Sequence, residues 1–202
     1  MIANMLAAFA RIISGVNARW VGEPLMDEQR IYFANHSSHM DALVLWAALP
    51  ENLRKNTRPV AGSDYWTKNR MKMYFAKIFN AVLIDRTNVS LHGNNPMDTL
   101  LKALNDGFSL IIFPEGTRGN GLEIGEFKSG LYYIAKKRPD IPLIPVYLKN
   151  LNRILPKGEF LPVPLISNAV FGSPVRIREK EIKSEFLVRA KAALSAMEWG
   201  LS

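Results

Sequence analysis

Short apolar runs alternate along the chain with longer segments in which apolar residues recur every three or four positions. The short runs predict strands and the longer segments predict helices, because side chains alternate between faces in a strand and return to one face about every 3.6 residues in a helix. Strands separated by helices favour an α/β fold with a largely parallel central sheet flanked by helices. The predicted strands are Ile31–Ala34, Arg58–Ala61, Ala81–Ile84, Leu110–Phe113, Leu143–Leu148, Ala169–Phe171 and Val175–Ile177, and the predicted helices are Asp41–Ala48, Tyr65–Phe79, Pro96–Asn105, Gly130–Lys137 and Glu179–Trp199.

The start of the chain carries an amphipathic helical pattern of its own. This pattern fits either a helix packed on the domain or a helix lying in the plane of a membrane, with Trp20 at the level of the headgroups. No run reaches the roughly 18 apolar residues that a membrane span needs. We therefore divide the chain into a short amphipathic helix at 1–20, a candidate membrane anchor, and one domain at 21–202. The apolar positions of the pattern are Ile2, Met5, Leu6, Phe9, Ile12, Ile13 and Val16.

Composition narrows the classes of function. The chain has no cysteine, which excludes disulfides, cysteine-ligated metals and a thiol nucleophile. Its formal net charge of +8 suits anionic lipid, acidic small molecules or nucleic acid. Between residues 51 and 80 bulky apolar side chains lie among many cations, which favours a lipid surface. No nucleic-acid-binding signature is present, so we expect no nucleic acid partner.

Polar clusters directly follow three of the predicted strands. Because the carboxyl ends of parallel strands meet at one edge of a sheet, we expect these clusters to form one site. The clusters lie at residues 35–41, 85–86 and 114–119.

The first cluster offers a general base. A neutral imidazole can take a proton from a hydroxyl at neutral pH, and a carboxylate on its other nitrogen fixes the tautomer. Asp41 follows His36 by five residues at a turn into a helix, so it can reach the ring. No Gly-x-Ser-x-Gly elbow is present, and we infer that the nucleophile belongs to a substrate. We interpret His39 and His92 as structural or surface residues.

The other two clusters offer groups that recognise anions. Arg86 and Arg118 each carry a planar fork suited to phosphate. Gly116 allows close approach of the backbone, and the amide of Thr117 can add a donor. Glu115 can hold an arginine in place or accept a hydrogen bond from a substrate hydroxyl.

Together these motifs resemble the glycerolipid acyltransferase family, typified by bacterial 1-acyl-glycerol-3-phosphate acyltransferases. His36-x4-Asp41 resembles the family's first motif and Leu83–Arg86 its second. Phe113–Arg118 is similar to the third motif and Ile144–Val146 to the fourth, in the same order along the chain. Four motifs in order carry far more weight than a histidine and an aspartate alone.

The resemblance implies a role for each matched residue. His36 would be the general base and Asp41 would orient it. An acyl group would move from acyl-CoA or acyl-carrier protein, as co-substrate, to the free hydroxyl of 1-acyl-glycerol 3-phosphate (lysophosphatidate) in phospholipid biosynthesis. No metal and no bound cofactor would be needed. The acceptor would be held by Arg86, Glu115, Gly116, Thr117 and Arg118, with Pro145 on the side of the acyl chain.

The resemblance also implies a location, and it leaves alternatives open. We expect a peripheral or interfacially anchored protein at the anionic surface of the membrane's cytoplasmic face. The acceptor could instead be another lysolipid, such as a lysophospholipid or an amino-acid lipid. A catalytically silent lipid-binding module is the remaining alternative. The chain departs from the family at Ala61–Trp66, which replaces a Lys-x-Glu-Leu-like segment.

Overall fold

The structure, a computed structural model, describes residues 2–21, 28–67, 70–85, 95–150 and 167–199. The helices are α1 (Ile2–Ser14), α2 (Asp41–Ala48), α3 (Glu51–Arg54), α4 (Ser63–Trp66), α5 (Arg70–Ile78), α6 (Pro96–Asn105), α7 (Gly130–Lys137) and α8 (Lys183–Trp199). The strands are β1 (Asn17–Trp20), β2 (Ile31–Ala34), β3 (Thr57–Gly62), β4 (Val82–Ile84), β5 (Ser109–Ile112), β6 (Leu143–Lys149) and β7 (Asn168–Phe171).

These strands form one sheet in the order β1-β7-β6-β2-β5-β3-β4. The five strands from β6 to β4 run parallel to one another. β7 is antiparallel to β6, and β1 pairs in parallel with β7 at the edge. The prediction of an α/β fold with a largely parallel sheet flanked by helices is therefore confirmed.

β2 lies at the centre of the sheet and is buried on both faces. Ile31 and Phe33 belong to an apolar cluster that includes residues of α6, α7 and α8. Tyr32 and Ala34 point the opposite way, into a second cluster with α1 and α2. Continuous apolar strands of this kind occur where helices cover both faces of a parallel sheet. The two helical layers thus support β2 from both sides, at the strand that leads into the candidate site.

α1 packs against α2 through small side chains. Ala7, Ala10 and Ser14 are buried, which lets the two helices approach closely. Arg11 adds polar contacts, because its guanidinium donates to the carbonyl oxygens of Ala47 (2.6 Å) and Leu49 (3.1 Å) at the end of α2. Carbonyls at a helix end lack partners within the helix, so this arginine caps α2.

Three large apolar residues of α1 are exposed to solvent, whereas Leu6 packs against the cluster that contains α2. Met5, Phe9 and Ile12 are 66%, 58% and 79% exposed, and their spacing places them on one stripe. In the part of the chain that the structure describes, no helix is both long and apolar enough to cross a bilayer.

Four predicted elements have the bounds that the sequence indicated: β2, α2, α6 and α7. Local signals explain α6, where the Asn95 side chain accepts a hydrogen bond from the Met97 amide and Pro96 occupies the first turn. Gly107, with φ of 86°, follows the end of this helix. The residues at its two ends thus explain why the sequence predicted the bounds of α6.

Other predicted elements differ from the structure. The helix predicted at Tyr65–Phe79 is two helices, α4 and α5, and the last helix begins at Lys183 rather than Glu179. Val175 forms only an isolated bridge with Leu143, not a strand. The sequence analysis missed α3 and β1, and the predicted unit 1–20 contains β1 as well as α1. β1 is a short strand at the edge of the sheet. Phe171, which is far from β1 in sequence, stacks its ring on Trp20 with 3.7 Å between the ring centroids and so stabilises β1.

Candidate active site

The loops that follow β2 and β5 meet at one edge of the sheet, because these strands are parallel neighbours. Asn35 determines where the first loop begins. Its side-chain nitrogen donates to the carbonyl oxygen of Leu148 (2.9 Å), and its side-chain oxygen accepts from the Leu148 amide (2.8 Å). Asn35 thereby extends the pairing of β2 with β6 by one residue, and the chain leaves the sheet at His36.

The structure brings His36 and Asp41 together, with 2.8 Å between Nδ1 and Oδ2. Asp41 is fully buried in the first turn of α2, and its Oδ2 also accepts the backbone amides of Ser37 (2.6 Å) and Ser38 (2.8 Å). These donors and the amino end of the helix offset part of the cost of burying the carboxylate, whose other oxygen, Oδ1, is buried without a hydrogen-bond partner among the described residues. Because an ionised carboxylate only accepts, we assign the proton to Nδ1, which leaves the lone pair on Nε2.

The ring of Phe113 fixes the orientation of the imidazole. The two ring centroids are 4.3 Å apart and the planes are inclined by 24°, so the rings are stacked. Phe113 follows β5 directly, as His36 follows Asn35 after β2. With Phe113 against its face and Asp41 on Nδ1, the His36 side chain is held in one orientation while remaining 22% exposed.

Glu115 joins the loop after β2 to a later part of its own loop through its two carboxylate oxygens. Oε1 accepts the backbone amide of His36 (2.7 Å) and Oε2 accepts that of Gly125 (2.8 Å). The Gly119 amide donates to the carbonyl oxygen of His36 (2.8 Å), so the loop after β5 binds both backbone groups of the histidine. Glu115 is only 7% exposed. The sequence analysis did not foresee this contact, and binding of the acceptor by Glu115 stays a prediction.

The other residues predicted to bind the acceptor lie in different settings. Gly116 forms a turn with φ of 73°, Thr117 is exposed and Arg118 is half-buried beside them. Pro145 lies within β6 opposite Phe33, on the face of the sheet that α8 covers. Asp41 begins α2, which packs on the opposite face of the sheet. Arg86 lies outside the described residues.

A small pocket beside His36 contains a polar pair that the sequence analysis missed. It holds about 20 Å³, room for one water molecule, and includes Tyr147 of β6 and Glu198 of α8. Burial and the hydrogen bond with Glu198 raise the pKa of the Tyr147 phenol, so the phenol stays protonated and donates to the carboxylate. A tyrosine within the apolar run of β6 was the signal that could have revealed it.

His36, Asp41 and Glu115 all form hydrogen bonds within the protein. His36 Nδ1 binds Asp41, and both oxygens of Glu115 bind backbone amides. Across the described ranges, no group of three or more His, Asp or Glu side chains is arranged to hold a metal ion. What the arrangement offers is one free imidazole nitrogen beside a loop that carries Arg118.

The chain is similar in sequence to a family of known proteins. A sequence profile named Acyltransferase matches residues 18–149. The chain is 27% identical over 156 residues to "1-acyl-sn-glycerol-3-phosphate acyltransferase" of Limnanthes douglasii, covering 76% of this chain and 53% of that protein. It is 27% identical over 168 residues to the protein of the same name from Haemophilus influenzae, covering 69% and 65%.

The fold also matches a solved structure, that of the 1-acyl-sn-glycerophosphate (LPA) acyltransferase PlsC from Thermotoga maritima. The TM-score is 0.73 at 20% identity, over 98% of this chain and 78% of that one. With a matching profile over most of its length, this chain belongs to the acyltransferase family. It spans about half the length of several curated relatives that it matches.

The contact between Glu115 and Gly125 yields a prediction about stability. A β-carbon at Gly125 would lie 2.7 Å from Oε2 of Glu115, so we expect Gly125→Ala to lower the free energy of unfolding by about 1–3 kcal/mol. A β-carbon at Gly130, the first residue of α7, meets nothing within 4 Å. Gly130→Ala should therefore be neutral or stabilise the protein by at most about 1 kcal/mol. Urea unfolding measures both, and equal midpoints for the two variants would contradict the tight contact.

Proposed function

We propose that this protein transfers a fatty acyl group from acyl-CoA or acyl-carrier protein to the free hydroxyl of 1-acyl-glycerol 3-phosphate, in phospholipid biosynthesis. The observation that carries the proposal is the 2.8 Å hydrogen bond between His36 and Asp41 at the carboxyl edge of the sheet. This bond occupies Nδ1, and Nε2 is the nitrogen left to take a substrate proton.

The reaction follows from this proton acceptor. Nε2 of His36 takes the hydroxyl proton as the acceptor oxygen attacks the thioester carbonyl and forms a tetrahedral intermediate. Asp41 stabilises the imidazolium through Nδ1. The intermediate then collapses: the C–S bond breaks, the new ester remains, and the thiolate receives the proton from Nε2. Atoms and charge balance without any further reactant.

Arg118 in the loop after β5 supports an acceptor that bears a phosphate. Arg118 is half-buried in this loop, next to the Gly116 turn, and its planar fork suits a phosphate. The names of the Limnanthes and Haemophilus relatives indicate the same acceptor. In our proposal Arg86 and Thr117 contribute to the same site, and Pro145 borders the acyl chain.

The catalytic roles are tested by His36→Ala and Asp41→Asn. We expect His36→Ala to abolish acyl transfer and Asp41→Asn to lower kcat by about 10³–10⁴-fold, a loss of the size known for the equivalent change in a Ser-His-Asp triad. The measurement crosses acyl-CoA and acyl-carrier-protein donors with lysophosphatidate, other lysolipids and phosphate-free monoacylglycerol.

Each other result of this assay has a defined meaning. Wild-type protein that transfers to no acceptor would support a silent lipid-binding module. Equal transfer to monoacylglycerol would contradict the role of the phosphate, and preference for another lysolipid would replace the acceptor proposed here.

We further propose that the protein works peripherally on the anionic cytoplasmic face of a membrane, with α1 at the lipid surface. The exposed stripe of Met5, Phe9 and Ile12 supports this placement, because apolar side chains on one helix face can enter the boundary between headgroups and acyl chains. The net charge of +8 supports attraction to anionic lipid.

The membrane proposal predicts weaker vesicle binding by Phe9→Ser/Ile12→Ser. Burial of each side chain in lipid contributes about 1.5–3 kcal/mol, so we expect at least about a tenfold loss of binding to anionic vesicles in sedimentation. The matched control is Ile182→Ser/Val188→Ser, which changes two exposed apolar residues at α8. If both double variants bound vesicles as the wild type does, α1 would not be the membrane contact.

A further inference from the structure

The side chain of Lys128 lies directly over the Gly116 turn. A β-carbon on Gly116 would be 2.6 Å from Cε and 2.8 Å from Cδ of Lys128. The lysine stem therefore occupies the space that a side chain at position 116 would need. Glycine is favoured at position 116 by the φ of 73°, a backbone conformation that residues with a β-carbon rarely adopt.

The backbone at Lys128 is held in place on two sides. Its amide donates to the carbonyl oxygen of Pro114 (2.8 Å), which ties it to the start of the Gly116 turn. The preceding residue, Phe127, is buried and packs edge-on against Phe33 of β2, with 6.2 Å between the ring centroids. The exposed lysine thus projects from a fixed backbone position over Gly116, two residues before Arg118.

Neither of the two cations at this turn forms an ion pair within the described part of the protein. Among the described residues, no carboxylate oxygen lies within 4.0 Å of the Lys128 ammonium or the Arg118 guanidinium. Glu115, the acid nearest to Arg118 in sequence, is buried and has both oxygens bound to backbone amides. Glu126, the acid nearest to Lys128, pairs with Lys191. Two cations beside a turn with a positive φ form a setting that favours an anion.

We propose that Lys128 binds the phosphate of the acceptor together with Arg118, and that it selects a phosphate monoester over a phosphodiester. This inference rests on the proposed function, in which the acceptor bears a phosphate. A monoester carries a charge of about −1.5 to −2 near neutral pH, whereas a diester carries one negative charge. A second cation therefore favours the monoester.

Gly116 and Lys128 act as a unit in this proposal. A methyl group at position 116 would displace the lysine stem and strain the turn. Gly116→Ala should thus weaken acceptor binding partly through Lys128. The double variant Gly116→Ala/Lys128→Met should therefore raise KM by less than the product of the two single-variant increases.

The test compares Lys128→Met with Lys137→Met. Met keeps an unbranched stem over Gly116 but removes the charge, and exposed Lys137 at the far end of α7 provides a control for the loss of one charge. For Lys128→Met we expect KM for lysophosphatidate to rise about 10–100-fold, with kcat within about threefold, because a hydrogen bond to a charged group contributes about 1.5–3 kcal/mol. KM for lysophosphatidylglycerol should rise less, KM for monoacylglycerol should not change, and Lys128→Arg should remain close to wild type.

Binding of glycerol 3-phosphate, measured by NMR titration, separates this inference from the proposed function. The wild type and Lys137→Met should bind it alike, and Lys128→Met should bind it at least about tenfold more weakly. If wild-type protein transferred acyl groups to lysophosphatidate and Lys128→Met kept its KM, the role of Lys128 would be wrong while the function stood. No binding of glycerol 3-phosphate by the wild type would also overturn the inference. Weakened binding without any acyl transfer would instead retain the anion site and refute the function.

Discussion

The candidate site depends on the two hydrogen bonds that the buried carboxylate of Glu115 accepts. Its two oxygens accept the amides of His36 and Gly125, which belong to different loops. A buried carboxylate with one oxygen unpaired would cost several kcal/mol, so each amide stabilises the position of the other loop. Because the Gly119 amide also binds the His36 carbonyl oxygen, the backbone of the histidine is held on both sides. Asp41 and the stacked ring of Phe113 then orient the imidazole.

α2 connects this site to the proposed membrane surface. Asp41 begins the helix, and Arg11 of α1 binds the carbonyl oxygens at its other end. The charges suit the two ends of a helix dipole, with the carboxylate at the amino end and the guanidinium at the carboxyl end. The helix that carries the exposed stripe, α1, is thus bound to one end of α2, and Asp41 lies at the other end. In our proposal this short helix sets the distance between the lipid surface and His36.

Local features of the sequence predicted the parts of the site that are close along the chain. His36 and Asp41 are five residues apart at a helix start, and their approach follows from that turn. The contact of Glu115 with His36 spans 79 positions, so it depends on the packing of two loops that no local pattern encodes. The packing of α1 was hidden for another reason. Its fully buried residues are small ones such as Ala7 and Ala10, whereas Met5, Phe9 and Ile12 of the apolar pattern are exposed.

The central claim is that Glu115 holds the loops that present His36. Backbone hydrogen exchange in Glu115→Gln tests it most directly, with the exposed Glu126→Gln as control. A glutamine has only one accepting oxygen on its side chain, so at least one of the amides of His36 and Gly125 loses its acceptor. We expect protection of that amide to fall by about tenfold or more, with β2 unchanged and Glu126→Gln like the wild type. Wild-type protection of both amides in Glu115→Gln would contradict the account.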